Sequence, residues 1–142
     1  MSVYADTSFL VSIYSLDSNS SAAAAILRRM PLPIQLSALG EVEMSNAFAL
    51  RIYRRELTLR EIATSERMLQ SDVEEGILNI VPIPAEAFGR AVRLARSRTP
   101  ALGLRSLDIL HVACALEIGA STFLTFDKNQ RRLARLEGLV VA

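Results

Sequence analysis

Short apolar runs alternate with longer stretches of helical periodicity along this chain of 142 residues. Runs of a few residues rich in Val, Ile, Leu and Phe are typical of strands that are buried on both faces. Five such runs predict strands at residues 3–5, 34–37, 77–81, 122–125 and 139–141. Because helical segments separate them, the pattern favours an α/β fold with a mostly parallel sheet. Right-handed crossovers would then place helices on both faces.

Capping and breaking residues set the limits of the helices. Ser, Thr and Asp favour helix N-termini, Gly favours the position after the last turn, and Pro ends a helix. Thr58 opens a capping box, Asp127 with Gln130 resembles another, and Ser106 is a further N-cap candidate. Pro and Gly predict a loop at 99–104. Together these signals predict helices at about residues 7–14, 22–30, 39–53, 59–75, 84–97, 106–118 and 128–137.

Length and composition favour one folded domain over residues 1–142, with 51% hydrophobic and 22% charged residues. The formal net charge of +1 gives no global attraction to nucleic acid or membrane, so such binding needs a local patch. The single cysteine, Cys114, excludes an intrachain disulfide and favours the reducing cytoplasm. We find no signal peptide and no apolar segment of the ~18 residues that span a bilayer, so we expect a cytoplasmic protein with no membrane association.

Four carboxylates are candidates for a common site at one edge of the sheet. Asp6 directly follows the first strand, Glu43 lies early in the helix after the second strand, and Asp127 follows the fourth. Ligands of open parallel sheets bind at the carboxyl ends of the strands, where these residues are expected. Asp108 begins the helix that leads into the fourth strand. It joins the others only if the loop at 99–104 returns the chain to the carboxyl edge.

Each acid alone has an ordinary structural explanation, as a helix cap, a favourable charge near a helix N-terminus or a solvated side chain. Their sequence surroundings are apolar, however, and a carboxylate buried among core residues is costly unless its charge is compensated. Several carboxylates packed together repel one another, and a divalent cation removes that conflict. Oxygen ligands without a His/Cys cluster select Mg²⁺ or Mn²⁺, which can generate hydroxide and orient a phosphodiester.

Four segments resemble the PIN-domain family, and within it the VapC-type ribonuclease toxins of bacterial and archaeal toxin–antitoxin pairs. They read YADTSFL, EVEMSNAFAL, RSLDILHVACAL and FLTFDKNQRRLA, and the resemblance covers essentially the whole chain. It implies a three-layer α/β/α sandwich with a five-stranded parallel sheet of order 3-2-1-4-5. Strands one and four would then be neighbours at the topological switch point, which would bring Asp6 beside Asp127.

The same resemblance implies the ligands and partners of the site. A Mg²⁺- or Mn²⁺-dependent endoribonuclease would hold its metal with the acidic positions of the family, which are matched by Asp6, Glu43, Asp108 and Asp127. Polar family positions beside these ligands are matched by Thr125, Ser8 and Asn46. The expected partners are an RNA substrate and a small VapB-like antitoxin whose tail covers the acidic site. The toxin would form a homodimer, and a heterotetramer or larger complex with the antitoxin.

Glu41 and Glu43 are both candidates for the second acid. Two residues apart on a helix, their side chains point about 200° from each other, so only one can face the site. The E-x-x-N-A spacing that ends at Asn46 and Ala47 favours Glu43.

His111 lies one turn after Asp108 on an otherwise apolar helix. A metal ligand or a general base is one interpretation, and a packing histidine with satisfied hydrogen bonds is the other; we favour the packing role. Cys114, on the same helix, is interpreted as a small core residue.

Arginine accounts for fifteen of the sixteen basic residues, and several lie shortly before Asp108. They could form a phosphate track leading to Asp108, with a solvated helix face as the alternative. The candidate phosphate contacts are Arg90, Arg93, Arg96 and Arg105. No aromatic stripe offers base stacking, so RNA recognition would depend on backbone charge and shape.

Two other functions are alternatives. A catalytically inactive PIN-fold binding module would keep the fold, but the full set of four acids argues against it. A phospho-receiver-like signalling domain shares the sandwich and an Asp after the first strand. It also needs a second acid beside Asp6, an acceptor Asp after a middle strand and a Lys after the last strand. Here the third strand ends in VPIP and the single Lys, Lys128, follows Asp127.

Overall fold

A five-stranded sheet, parallel throughout, forms the centre of the fold in the order β3-β2-β1-β4-β5. The computed structural model describes all 142 residues. The strands are β1 Val3–Ala5, β2 Ile34–Ser37, β3 Leu78–Val81, β4 Thr122–Leu124 and β5 Val140–Val141. The helices are α1 Thr7–Tyr14, α2 Ser20–Leu27, α3 Ala38–Tyr53, α4 Leu59–Glu74, α5 Ala85–Leu102, α6 Ser106–Glu117 and α7 Lys128–Leu136. The predicted α/β class and the strand order are confirmed.

Helices cover both faces of the sheet, and the alternation of side chains along β1 explains the two cores. Val3 and Ala5 pack in one cluster with residues of α1 to α4, among them Phe9 and Phe48. Tyr4, between them, packs in a second cluster with residues of α5, α6 and α7. Burial on both faces requires a continuously apolar strand, and the result is the predicted three-layer sandwich. No helix combines the length and the apolar character needed to cross a membrane.

Strands β1 and β4 are neighbours, and their pairing sets up a crevice. Ala5 pairs with Leu124, and the N–H of Asp6 donates to the carbonyl oxygen of Leu124 at 3.0 Å. Asp6 and Thr125 therefore leave the sheet side by side at its carboxyl edge. The chain continues from β1 into α1 on one face and from β4 into α7 on the other, which is the arrangement of a topological switch point.

The predicted loop at 99–104 is wrong, because α5 continues through Pro100 to Leu102. A proline lacks the N–H for one helical hydrogen bond and its ring crowds the carbonyl of residue i−4, but Pro100 stands in the last turn, so only the end of α5 is affected. The N–H of Gly103 still donates to the carbonyl oxygen of Thr99 at 2.8 Å. Gly103 then adopts a left-handed conformation, with φ of 63°, which ends the helix. A connection of only residues 103–105 leads into α6.

Two predicted caps also differ from the structure. Arg105 rather than Ser106 precedes α6, and no side chain caps that end. Asp127 caps α7 by accepting a hydrogen bond from the N–H of Gln130 at 2.8 Å. The Gln130 side chain turns elsewhere, so this second capping box is only half formed. The capping box that begins at Thr58 is confirmed.

Candidate active site

Asp6 lies at the end of β1 and is buried, with 1% of its surface exposed. Its carboxylate accepts hydrogen bonds from the backbone N–H of Phe9 (3.0 Å), the hydroxyl of Ser8 (2.8 and 2.9 Å) and the hydroxyl of Thr125 (2.7 Å). Burial raises the pKa of Asp6 to about 6, because these neutral donors offset only part of the lost hydration. No basic side chain forms an ion pair with Asp6, so its charge has no direct positive partner.

Thr125 connects Asp6 with Asp127. Its hydroxyl donates to Asp6 and accepts from the backbone N–H of Asp127 at 2.9 Å. Asp127 uses Oδ1 to cap α7, and its Oδ2 lies 3.5 Å from Nη2 of Arg105. The structure thus brings the carboxylates that follow β1 and β4 to the two sides of one buried threonine.

Asp108, in the first turn of α6, reaches the same edge of the sheet. Its Oδ1 accepts from the side-chain amide of Gln130 at 2.8 Å, and its Oδ2 accepts from Nε of Arg105 at 2.8 Å. Gln130 belongs to α7, three residues after Asp127, so these contacts tie the starts of α6 and α7 together. The short connection after α5 therefore returns the chain to the carboxyl edge of the sheet, which was expected of a loop at 99–104.

Glu43 approaches the crevice from α3. Its Oε1 accepts from the hydroxyl of Thr7 at 2.8 Å and is in hydrogen-bond contact with Nε2 of His111. Burial acts to raise the pKa of Glu43, but the hydrogen bonds from His111 and Thr7 outweigh it and hold that pKa below its usual value. Glu41 is exposed and makes no contact with this region.

All four acids line one cavity of about 430 Å³ at the carboxyl edge of the sheet. Of the polar residues predicted to lie beside them, Ser8 and Thr125 hydrogen bond directly to Asp6. Asn46 is exposed and forms no hydrogen bond with any of the acids. It lines a neighbouring groove on the outer side of Glu43.

Sequence reasoning missed most of the groups that hold the acids. Gln130 was interpreted only as part of a capping box, although its spacing from Asp127 was the available signal. Thr7 has no distinguishing signal beyond its place next to Asp6. His111 was interpreted as a packing residue; it is buried, with 1% exposed, yet it also contacts Glu43 and lines the cavity.

The candidate phosphate contacts lie at different places. Arg90 forms an ion pair with Glu117 at 2.5 Å. Glu117 is nine residues beyond Asp108 on α6, or roughly 13 Å along the helix axis, so Arg90 does not lead to the acidic cavity. Arg105 does line the cavity, where it bridges two carboxylates. Arg93 and Arg96 form no ion pair, and for them a phosphate contact stays a prediction.

The chemistry of the cavity suits a hard divalent cation. Its donors are carboxylate, hydroxyl and amide oxygens, and both ring nitrogens of the one histidine are already used. The uncompensated charge of buried Asp6 is a second feature that a cation would relieve. In the present arrangement no three of the acids converge as ligands of one ion. The guanidinium of Arg105 lies between Asp108 and Asp127 instead, and its side chain is 75% exposed and so has room to move away.

Fold and cavity together define an α/β/α domain with an acidic site at the switch point of its sheet. The family model of the PIN domain matches residues 3–136. The chain therefore belongs to the PIN domain family. No curated protein sequence matches it at a significant level.

Solved structures share this fold at low sequence identity. VapC20 of Mycobacterium tuberculosis, described as a sarcin-ricin loop cleaving toxin, is 15% identical, with a TM-score of 0.69 over 92% of this chain and 94% of that one. FitAcB of Neisseria gonorrhoeae is 20% identical, with a TM-score of 0.68 over 98% and 95%. VapBC2 of Rickettsia felis, bound to a DNA fragment from its promoter, is 16% identical, with a TM-score of 0.66 over 100% and 98%.

Proposed function

We propose that this chain is a metal-dependent endoribonuclease that hydrolyses RNA phosphodiester bonds as the toxin of a toxin–antitoxin pair. The observation that carries the proposal is the convergence of four carboxylates from β1, α3, α6 and α7 on one cavity of a PIN-domain fold. The inactive binding module is disfavoured by that convergence. The phospho-receiver is disfavoured because Lys128 is exposed and does not line the cavity.

The residues of this chain have separate tasks in the proposed reaction. The cation, Mg²⁺ or Mn²⁺, would be held by Asp6, Glu43, Asp108 and Asp127. When bound, it would supply an activated water and offset charge on the phosphodiester. Thr125 and Ser8 fix the orientation of the Asp6 carboxylate with two hydroxyl donors. Gln130 holds Asp108 in the same way from the neighbouring helix.

The proposed partners follow from the family and from the structures that share the fold. Two solved structures that share this fold, VapBC2 of Rickettsia felis and a FitAB structure (20% identical, TM-score 0.74), each contain a bound DNA fragment. We expect a small VapB-like antitoxin whose tail covers the acidic cavity, and a toxin homodimer within a heterotetramer or larger complex. The substrate is expected to be structured RNA, as VapC20 is described as cleaving the sarcin-ricin loop.

The direct test is cleavage of structured RNA by the purified full chain. Cleavage is expected with Mg²⁺ or Mn²⁺, and it should stop when EDTA is added and resume when the cation is restored in excess. The activity should coelute with the protein, which excludes a contaminating nuclease. Cleavage that persists in EDTA, or no cleavage of any RNA with either cation, would contradict the proposal.

Arg105→Gln is expected to tighten Mn²⁺ binding by about three- to tenfold. The guanidinium occupies the space between Asp108 and Asp127, and a cation must displace it. A contribution of roughly 0.3–0.7 kcal/mol from each of the two ion pairs, within the usual range for exposed pairs, corresponds to this gain. Calorimetric titration of the metal-free protein with Mn²⁺ measures the change.

Arg93→Gln is the matched control, since it removes the same charge from a side chain without an ion pair. Its Mn²⁺ affinity should equal that of the unaltered protein. Weaker binding by Arg105→Gln would show that the guanidinium assembles the acids for the cation and does not compete with it.

A further inference from the structure

His111 is the only histidine of the chain, and it links the core to the wall of the acidic cavity. It is 1% exposed, and both ring nitrogens have hydrogen-bond partners. Nδ1 lies 2.7 Å from the hydroxyl of Tyr4, and Nε2 contacts Oε1 of Glu43. The hydroxyl of Tyr4 lies in turn 3.0 Å from that of Ser37. Four side chains thus form one continuous chain of hydrogen bonds from β2 to the cavity.

The direction of this chain follows from its end group. An ionised carboxylate only accepts hydrogen bonds, so Nε2 of His111 must carry the hydrogen that it shares with Glu43. In a neutral ring Nδ1 is then an acceptor, and the Tyr4 hydroxyl donates to it. The Tyr4 oxygen is free to accept from Ser37. Each polar hydrogen between Ser37 and Glu43 therefore has an acceptor, even when the imidazole is uncharged.

Packing fixes the imidazole ring in this orientation. The rings of Tyr4 and His111 meet edge to face with centroids 5.9 Å apart, and Tyr4 stacks on Phe123 of β4 at 5.6 Å. Both ring nitrogens are also held by hydrogen-bond partners, Nδ1 by Tyr4 and Nε2 by Glu43. The direction of the Nε2–H is therefore set by the contacts of the ring in the core.

Glu43 is the only glutamate among the four site acids, so its carboxylate stands further from the backbone than the others. Asp6 and Asp127 accept hydrogen bonds from the N–H groups of the helices that they cap, whereas Glu43, like Asp108, is held only by side chains. Thr7 and His111 both bind its Oε1, which leaves Oε2 without a hydrogen bond inside the protein. One oxygen anchors the side chain and the other is available to a ligand in the cavity.

We propose that His111 is a positioning residue for Glu43: its Nε2–H, held in place by the packing of the ring and by the contact of Nδ1 with Tyr4, fixes one oxygen of the Glu43 carboxylate at the wall of the cavity. The proposal rests on the proposed function in that Glu43 is one of the acids assigned there. It assigns His111 neither metal binding nor proton transfer. A histidine that merely fills the core would need no donor directed at Glu43.

The hydrogen on Nε2 can be observed directly, because one histidine gives one set of ring signals. Two-dimensional ¹⁵N–¹H correlation of the ring nitrogens, in metal-free protein, should show a hydrogen on Nε2. An Nε2 that carries no hydrogen would overturn the proposal. This measurement needs no variant and no activity.

Substitutions then test the effect on the site. His111→Leu keeps an apolar side chain in the core but removes the donor, and it should weaken both Mn²⁺ binding and RNA cleavage by about 10- to 100-fold. His111→Gln retains an N–H donor at the end of its side chain and should restore most of both. Ile109→Val, a small change in a buried residue of the same helix, should alter neither.

The two proposals fail in different ways. If the unaltered protein cleaves RNA and His111→Leu, confirmed as folded, binds Mn²⁺ and cleaves equally well, the positioning role is wrong and the proposed function stands. If His111→Gln is as impaired as His111→Leu, the donor is not what matters, and the positioning role is again wrong. If the unaltered protein cleaves no RNA, the proposed function fails, while the hydrogen on Nε2 and the Mn²⁺ affinities still decide the role of His111.

Discussion

Asp108→Asn is expected to lower RNA cleavage by more than about 100-fold while the protein stays folded. Removing a group that only orients a metal ligand costs about 10- to 100-fold, and loss of a ligand charge should cost more. The fold should tolerate the change because an asparagine oxygen can still accept the hydrogen bond of the Gln130 amide. Arg105, whose side chain is 75% exposed, can turn into solvent. Initial rates with saturating Mn²⁺ and structured RNA give the ratio.

Glu41→Gln is the matched control for this loss. It removes the same charge from an exposed position of α3, two residues from Glu43 and outside the cavity. Its cleavage rate should equal that of the unaltered protein. Undiminished cleavage by Asp108→Asn, confirmed as folded by its circular dichroism, would show that Asp108 serves only the docking of α6 against α7.

The fold could be predicted because its signals are local and repeated. Strands buried on both faces, such as β1 and β4, must be apolar at every position, so they stand out even at three residues. The strand order came from the family resemblance, since periodicity alone does not say which parallel strands are neighbours. The prediction of a loop at 99–104 was wrong because Pro100 was interpreted as the end of the helix. Packing of α5 against α6 stabilises the last turn although one hydrogen bond is missing there.

The acids of the site could be named, but most of their partners could not. Asp6 directly follows β1 and Asp127 comes shortly after β4, and that position alone places them at the carboxyl edge. The contact of Arg105 with Asp127 and the contacts of Gln130 and His111 depend on how α6 and α7 dock beside each other and on α3 approaching from the opposite layer. Such contacts between distant elements leave no spacing in the sequence. The ion pair of Arg90 with Glu117 could not be predicted for the same reason. Helical spacing had grouped Arg90 with Arg93 as a candidate phosphate contact.

Asp6→Asn is expected to stabilise the metal-free protein by up to about 3 kcal/mol above roughly pH 7, although it removes a site acid. Burial raises the pKa of Asp6 from 3.8 to about 6, and a rise of roughly two pKa units corresponds to about this free energy. Between these two pKa values the folded state binds more protons than the unfolded state, so the free energy of unfolding falls as pH rises through this window. Above the window the buried Asp6 charge has its full destabilising effect. Asparagine carries no charge, and it caps helices as well as aspartate does, so the N-cap of α1 is kept. Its amide nitrogen cannot accept the hydroxyl hydrogen bond that Thr125 donates to the carboxylate, and this loss offsets part of the gain. Urea unfolding in EDTA, at a series of pH values, measures the difference, which should shrink towards about pH 4.

Asp127→Asn is the matched control, because Asp127 also caps a helix but is partly exposed, at 26% of its side chain. It should show a much smaller gain in metal-free stability. Saturating Mn²⁺ should make the unaltered protein more stable than Asp6→Asn. A ligand that binds only the folded state stabilises it, and the Asp6→Asn variant would lose most of that gain. If the difference in stability between Asp6→Asn and the unaltered protein does not change with pH, the buried charge is already compensated within the chain. The acidic cavity would then have no electrostatic need of a cation.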